Sequence, residues 1–314
     1  MQSSQPLTPS DKIPAPYIDY LIGALSRQRY VRFMGFNPFP WQDAILASEG
    51  RRIIINAARQ SGKSTIVSSI PCHKAKYKAG SLVVIIAATE DQAFDDMTKV
   101  KGYIQNDGTY PDIKRSSDSL IQLDNGSRIV VVPATEKAAR GKSCPDLVML
   151  DEASRIEDII YTSGVKPMFT DNPGQLILLS TPNGKRGFFF NIFDQRRRND
   201  PWERYEIRSP WEPVQTPDGL DLVEYMPEGD FQQKMDDIRS WYSPRHHDYD
   251  EQVQNLYDMG IRQYRQEYCC EFVETEASVF SYAEVERMFG QKVQDRPEMK
   301  AARPSTIDFS SMGE

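Results

Sequence analysis

A chain of 314 residues can bury one large core with a smaller part beside it, and its formal net charge of −7 argues against a protein that coats nucleic acid through its overall field. No apolar run approaches the roughly 20 residues that span a bilayer, and the opening MQSSQPLTPSDK lacks the apolar centre of a secretory signal, so the expectation is an intracellular protein without a membrane partner. Cys72, Cys144, Cys269 and Cys270 lack the CxxC spacing of a zinc or redox site, which leaves them as buried or incidental thiols.

Charge is unevenly spread. Between Trp211 and Glu251 eleven acidic residues face only Lys234, Arg239 and Arg245, so the remainder is close to neutral and any nucleic-acid contact has to be local.

In chain order, residues 1–16 are polar and proline-bearing and read as a loose arm. From Tyr17 to Phe33 apolar residues recur at roughly helical spacing among Arg27, Arg29 and Arg32, which predicts one helix. NPFPWQDAILASEG then brings Trp41 and Gln42 to a helix start. The Gln42 amide both donates and accepts, which suits the edge of adenine; a solvent-facing helix glutamine is the competing reading.

RRIIIN (51–56) reads as a buried strand that runs into AARQSGKST (57–65), and STIVSSIPCHKAKY continues as a helix. Strand, loop and helix in that order make a phosphate-binding loop. Inward N–H groups and a helix N-terminus face anionic oxygens, Lys63 reaches the outer phosphates, and Ser64 offers a hydroxyl to Mg²⁺. Arg59, Gln60, Ser61, Gly62 and Thr65 complete the predicted nucleotide contacts. Ala57 stands where the common pattern has its first glycine.

SLVVIIAA (81–88) is a second predicted strand, followed by a helix from Glu90 to about Gln105. SLIQLDNGSRIVVVPA alternates around Asp124-Asn125-Gly126, a β-hairpin signal. DLVMLDEAS places four apolar residues before Asp151-Glu152, and QLILLSTPN (175–183) ends in Ser180-Thr181-Pro182. Strands alternating with helices, most apolar throughout, predict an α/β fold with a largely parallel sheet buried on both faces. Ligands in such sheets sit beyond the strands' carboxyl ends, where the loop, Asp151-Glu152 and Ser180-Thr181 all fall. From about Pro201, prolines at 201, 210, 213, 217, 227 and 244 interrupt the alternation, and helical character resumes near 249–268, predicting a smaller helical or irregular lid. The expected domains are an arm and helix (1–36), a P-loop NTPase core of RecA/ASCE-like type (37–210), a small mostly helical lid (211–300), and a terminal piece (301–314).

Hydrolysis of a γ-phosphate asks for positioning and charge neutralisation. Ser64 and Asp151 are the expected Mg²⁺ residues, Lys63 the phosphate cation, and Glu152 the base on the attacking water. Arg59, inside the loop, acts close to its own nucleotide. Arg140, beside Lys137 and Lys142, is a second candidate finger, with a solvated basic turn as its competing reading. Ser180 and Thr181 are candidates to sense the γ-phosphate, against a plain helix N-cap. Lys114, Arg115 and Arg128, or Lys185, Arg186 and Arg196 to Arg198, are basic clusters that could grip DNA phosphates, or solvated faces.

Gln42 before the first strand, an Arg-bearing loop lacking its first Gly, ARG, LDEA, STPNG, RQEYCCEFVE and SVF occur in that order over roughly residues 37–310, and the set resembles the large terminase subunit of tailed bacteriophages. The resemblance implies an ATP- and Mg²⁺-dependent motor that pumps double-stranded DNA into the capsid. It implies a homo-oligomeric ring at the portal protein, served by the small terminase subunit in the host cytoplasm, and monomers when isolated. It further implies that Arg59 and Arg140 are arginine fingers, Arg140 on the neighbouring subunit's nucleotide, and that Ser180, Thr181 and Pro182 couple hydrolysis to motion. Asp308 then falls at the first metal-binding Asp of a ribonuclease H-like nuclease. The other nuclease carboxylates would need many further residues, so the expectation is a truncated chain without nuclease activity. Two alternatives stay open: a superfamily 2 helicase fragment, for which the region after residue 200 shows no second lobe, and a docking module that holds nucleotide only structurally.

Overall fold

The computed structural model describes residues 15–135, 144–170, 173–194, 200–217, 219–225 and 238–274. Helices α1 (Ala15–Leu25), α2 (Arg27–Phe33) and α3 (Pro40–Ala47) precede β1 (Arg52–Ala57), α4 (Lys63–Tyr77), β2 (Leu82–Ala87) and α5 (Glu90–Asn106). Then come β3 (Ile113–Ser116), β4 (Leu120–Leu123), β5 (Arg128–Pro133), β6 (Leu147–Asp151), β7 (Gln175–Ser180) and α6 (Gly187–Asp194). Last are β8 (Glu203–Arg208), β9 (Trp211–Thr216), β10 (Gly219–Glu224), β11 (Ile238–Tyr242) and α7 (Tyr249–Glu267). Among the described residues no helix is long and apolar enough to cross a membrane.

The sheet runs β11-β8-β1-β7-β6-β2-β5-β4-β3. It is parallel from β11 to β5, and the β3–β4–β5 meander adds two antiparallel strands. The fold is an α/β P-loop NTPase of the ASCE type, with β7 inserted between the phosphate-loop strand β1 and the Asp-Glu strand β6. The apolar runs explain why it forms. Ile53 and Ile55, Val83 and Ile85, Leu147 and Met149, Ile177 and Leu179 point into one core with α3, α4 and α5. Their alternates Ile54, Val84, Ile86, Val148, Leu150, Leu176 and Leu178 point into a second core with Ile160, Val165 and Phe188. A period of two, apolar on both faces, permits only a strand covered on both sides.

Three expectations need correction. The single helix over 17–33 is two, because the Ser26 hydroxyl accepts the Arg29 N–H and starts α2 afresh. The α/β alternation does not stop near Pro201, since β8 and β11 join the sheet in parallel beside β1. In β8 only Tyr205 and Ile207 face the first core; Arg204 lies on the other side, its guanidinium satisfied by Asp200 and by the Ile192 and Phe193 carbonyls. That half-polar strand carries no unbroken apolar run to betray it. Third, the smaller part contains a β-hairpin, β9–β10, which shares an apolar cluster with α7 through Leu222, Leu256, Tyr264 and Tyr268. The hairpin predicted at Asp124-Asn125-Gly126 is present as β4–β5, with Gly126 at φ 85°.

Candidate functional site

Ala57, where a glycine is more common, is the last residue of β1, fully buried and paired with Ile207 of β8. It is extended strand, so no left-handed turn is asked of it. The turn comes later, at Gln60 (φ 59°) and Gly62 (φ 103°), after which Lys63 opens α4. A Cβ on Gly62 would lie 3.2 Å from Gln42 Nε2, in a backbone conformation that side chains rarely adopt. Lys63 Nζ donates to the Ala57 and Ala58 carbonyls at 3.2 and 3.1 Å, and the Ser64 side of the helix start is exposed.

The loop is held from outside. Ala58 N–H donates to Ile207 O, and Arg59 N–H donates to Glu267 O at the end of α7, both at 2.7 Å. Cys270, left-handed at φ 60°, places its carbonyl 2.9 Å from Asn56 Nδ2 just before the loop. The Arg59 side chain remains exposed. Gln42 is 3% exposed: its Oε1 accepts the Phe39 N–H at 2.8 Å and its Nε2 donates to Gly62 O at 2.9 Å. The solvent-facing alternative is therefore wrong. One N–H and one lone pair of the amide remain for a ligand.

Because β7 lies between β1 and β6, Ser180 and Thr181 meet Glu152. Ser180 Oγ lies 2.8 Å from Ser154 Oγ and 3.2 Å from Glu152 Oε2, with one proton to give to either, and Thr181 Oγ1 stands 3.5 Å from the same carboxylate oxygen. Ser154 braces the pair, with its Oγ donating to Thr181 O and its N–H donating to Ser180 Oγ. Glu152 itself is left-handed at φ 49°, a strained conformation that costs about 1–3 kcal/mol and turns its carboxylate out of the strand line. Arg155 links it to α7, at 3.9 Å from both Glu152 and Glu267. Pro182 is buried behind this cluster.

Asp151 is pushed up to about 7 by burial, then by the facing Asp96 and by Glu152, against the opposing charge of Lys63. Asp96, on α5, is 1% exposed and is itself raised, by burial first. Among the described residues no three carboxylate, imidazole or thiol side chains converge into a ready-made metal cage. The arrangement has a pH signature. Asp151 keeps its proton in the fold above the 3.8 at which the unfolded chain loses it, so the stability it contributes is whole below about pH 4 and is lost as pH rises toward 7. Asp96→Asn removes one of the two charges. The variant is expected to match wild type near pH 4 and to be the more stable of the two above pH 7. Urea unfolding at both pH values measures this, and a gap independent of pH would sink it.

Every predicted site residue from Gln42 to Pro182 except Arg140 falls on the carboxyl edge of the sheet. Arg140 lies outside the described residues, as do Lys137, Lys142, Arg196 to Arg198 and Asp308. Lys114, Arg115, Arg128, Lys185 and Arg186 are exposed. Sequence reasoning missed Ser154, Arg155, Asp96 and Glu267. Ser154 and Arg155 directly follow LDEA and lay within reach of the same argument; Asp96 and Glu267 are single polar positions of helices, with no local signal.

The chain matches the family model described as terminase large subunit, T4likevirus-type, N-terminal, over residues 54–287. It is 27% identical over 180 residues to the terminase large subunit of Thermus virus P23-45, which covers 51% of this chain and 37% of that protein. The terminase large subunit of Thermus phage G20c gives the same figures. The chain thus spans well under half the length of these relatives. Its fold is similar to the large terminase ATPase domain of Thermus phage P74-26, with a TM-score of 0.57 at 21% identity, covering 78% of this chain and 98% of that one.

Proposed function

This chain belongs to the terminase large-subunit family, T4-like type, and from that membership we propose that it is the ATP-hydrolysing motor portion of a machine that drives double-stranded DNA into a viral capsid. The observation that carries this reading is Glu152, left-handed at the end of β6 and hydrogen-bonded by the hydroxyl of Ser180, with Thr181 beside it. A carboxylate fixed by the neighbouring strand, beyond a phosphate loop one strand further on, is placed to orient and deprotonate a water that attacks the terminal phosphate.

The other roles follow from the same edge. Backbone N–H groups of residues 60–65 and the start of α4 receive the phosphates, and Lys63 exchanges two loop carbonyls for phosphate oxygens. Arg59 faces the nucleotide of its own subunit and Arg140 that of the next. Mg²⁺ fits the donors present, because half-buried Asp151 stands beside the Asp96 and Glu152 carboxylates, with Lys63 as an opposing charge, and Ser64 offers an open hydroxyl. Bound there, it would neutralise charge on the phosphate oxygens. Ser64 and Asp151 would hold it, and hard oxygen donors short of a full cage are the arrangement that suits an ion sharing its shell with phosphates and water.

Ser180, Thr181 and Pro182 couple the site to motion, since loss of the γ-phosphate alters what Glu152 must balance and Ser180 holds Glu152 directly. The lid, with α7 gripping the loop at Arg59, is the part that would feel the change. In this reading the partners are DNA, the portal protein, the small terminase subunit and further copies of the chain in a ring. The test is release of inorganic phosphate from ATP by the purified protein. The expected result is slow turnover that needs Mg²⁺ and rises with protein concentration. A protein that binds ATP but releases no phosphate at any concentration would favour the docking-module reading instead.

A further inference from the structure

Phe39 and Arg245 stand beside the phosphate loop without a part in the chemistry above. Phe39 directly precedes α3, and Gln42 closes the first turn onto its N–H. Its ring lies against the last residue of the loop, with Cε2 3.5 Å from where a Gly62 Cβ would be. Over that ring, 5.7 Å from its centroid, sits the guanidinium of Arg245.

Arg245 lies in the short turn Pro244–His246 that follows β11. That turn is anchored. Ser243 N–H donates to Arg208 O at 2.7 Å, Ser243 Oγ accepts the Arg245 N–H, and Trp211 Nε1 donates to His246 O at 2.9 Å. The side chain itself is exposed, and it belongs to the strongly acidic stretch from Trp211 to Glu251. It nevertheless lies over an aromatic face.

From this geometry we propose that Phe39 and Arg245 form a planar clamp that stacks on the two faces of the nucleobase of the bound nucleotide. The proposal rests on the phosphate-loop reading and adds to it what holds the other end of the ligand. Two stacking distances of roughly 3.5 Å require a gap of about 7 Å. The present 5.7 Å therefore has to widen by a little more than an ångström, which an exposed arginine on an anchored turn supplies by a change of rotamer. The two jaws meet in a cation–π contact, and a bound base would replace that contact with two, one on the ring and one on the guanidinium. The ring is contributed by the segment ahead of β1 and the guanidinium by the segment after β11, so a base between them joins two segments far apart in the chain.

One lone pair and one N–H of the Gln42 amide are committed to Phe39 and Gly62, which makes it the brace that sets the ring on the loop as much as a reader of the base edge. Stacking depends on flat faces, and this separates the clamp from a general electrostatic role for Arg245. A lysine keeps the charge and loses the plane.

The test compares binding of ADP with binding of inorganic tripolyphosphate, which has phosphates and no base, by calorimetry on the whole chain. Phe39→Ala, Phe39→Leu, Arg245→Ala and Arg245→Lys are each expected to weaken ADP by about tenfold and to leave tripolyphosphate within about twofold. Phe39→Leu keeps apolar packing on Gly62, so it reports on the ring even where alanine disturbs the fold. ADP affinity unchanged in all four variants overturns the clamp. Parallel loss of both ligands overturns it too, because the residues would then act through the loop. A wild type that binds neither ligand removes the phosphate-loop reading itself, and the clamp with it.

Discussion

Glu152→Gln is expected to lower ATP turnover by about 10² to 10⁴-fold while nucleotide affinity stays close to wild type. The substitution is nearly isosteric. An amide can still accept from Ser180 through its oxygen, and the left-handed backbone at φ 49° asks nothing of the side-chain charge. The contact to Arg155, at 3.9 Å and half exposed on the arginine side, contributes about 0–1 kcal/mol and will not unfold the site when lost. What disappears is the basic lone pair. The measurement is phosphate release under saturating ATP, set beside ADP affinity by calorimetry. Turnover within a factor of two of wild type would exclude Glu152 as the base. A parallel fall in affinity would mean instead that it shapes the phosphate site.

How much of this was legible beforehand depends on how each strand is built. β1, β2, β6 and β7 are apolar on both faces because each is covered on both, so composition alone marks them. β8 and β11 lie towards one end of the sheet, where one face carries Arg204 and Glu206 or stays half exposed, and proline-rich surroundings hid them. Sequence patterns register apolar runs, and a strand whose second face is covered but polar, as in β8 at Arg204 and Arg208, spreads its signal over two or three residues. The split between α1 and α2 failed for another reason. A single Ser26 cap outweighs seventeen residues of tolerable helical spacing, and caps are local hydrogen bonds that periodicity does not see.

The site divides in the same way. Lys63, Ser64, Asp151, Glu152 and Ser180 were readable because each sits at a strand's carboxyl end, and the sheet order brings those ends together. Sheet order is also what the sequence withholds. That Ser180 and not some other hydroxyl touches Glu152 follows from β7 lying beside β6, a pairing set by packing over a separation of 28 residues. Glu267 holds Arg59 through a backbone carbonyl, and no side-chain pattern records a carbonyl's partner. Ala57 is the reverse case. What looks in sequence like a missing glycine is in space an ordinary strand residue paired to Ile207.

Arg140→Ala is expected to lower turnover by about 10³ to 10⁵-fold, the range for loss of an arginine finger, and to abolish the rise of turnover with protein concentration. In the reading proposed above, Arg140 acts on the nucleotide of a neighbouring subunit. Mixing decides the matter. Arg140→Ala subunits keep Glu152, and Glu152→Gln subunits keep Arg140, so each population alone should be inactive. A mixed assembly contains interfaces with an intact base on one side and an intact finger on the other, and it should recover part of the wild-type rate. If mixing recovers nothing while the two variants still assemble, Arg140 serves its own subunit's nucleotide, and the concentration dependence needs another cause.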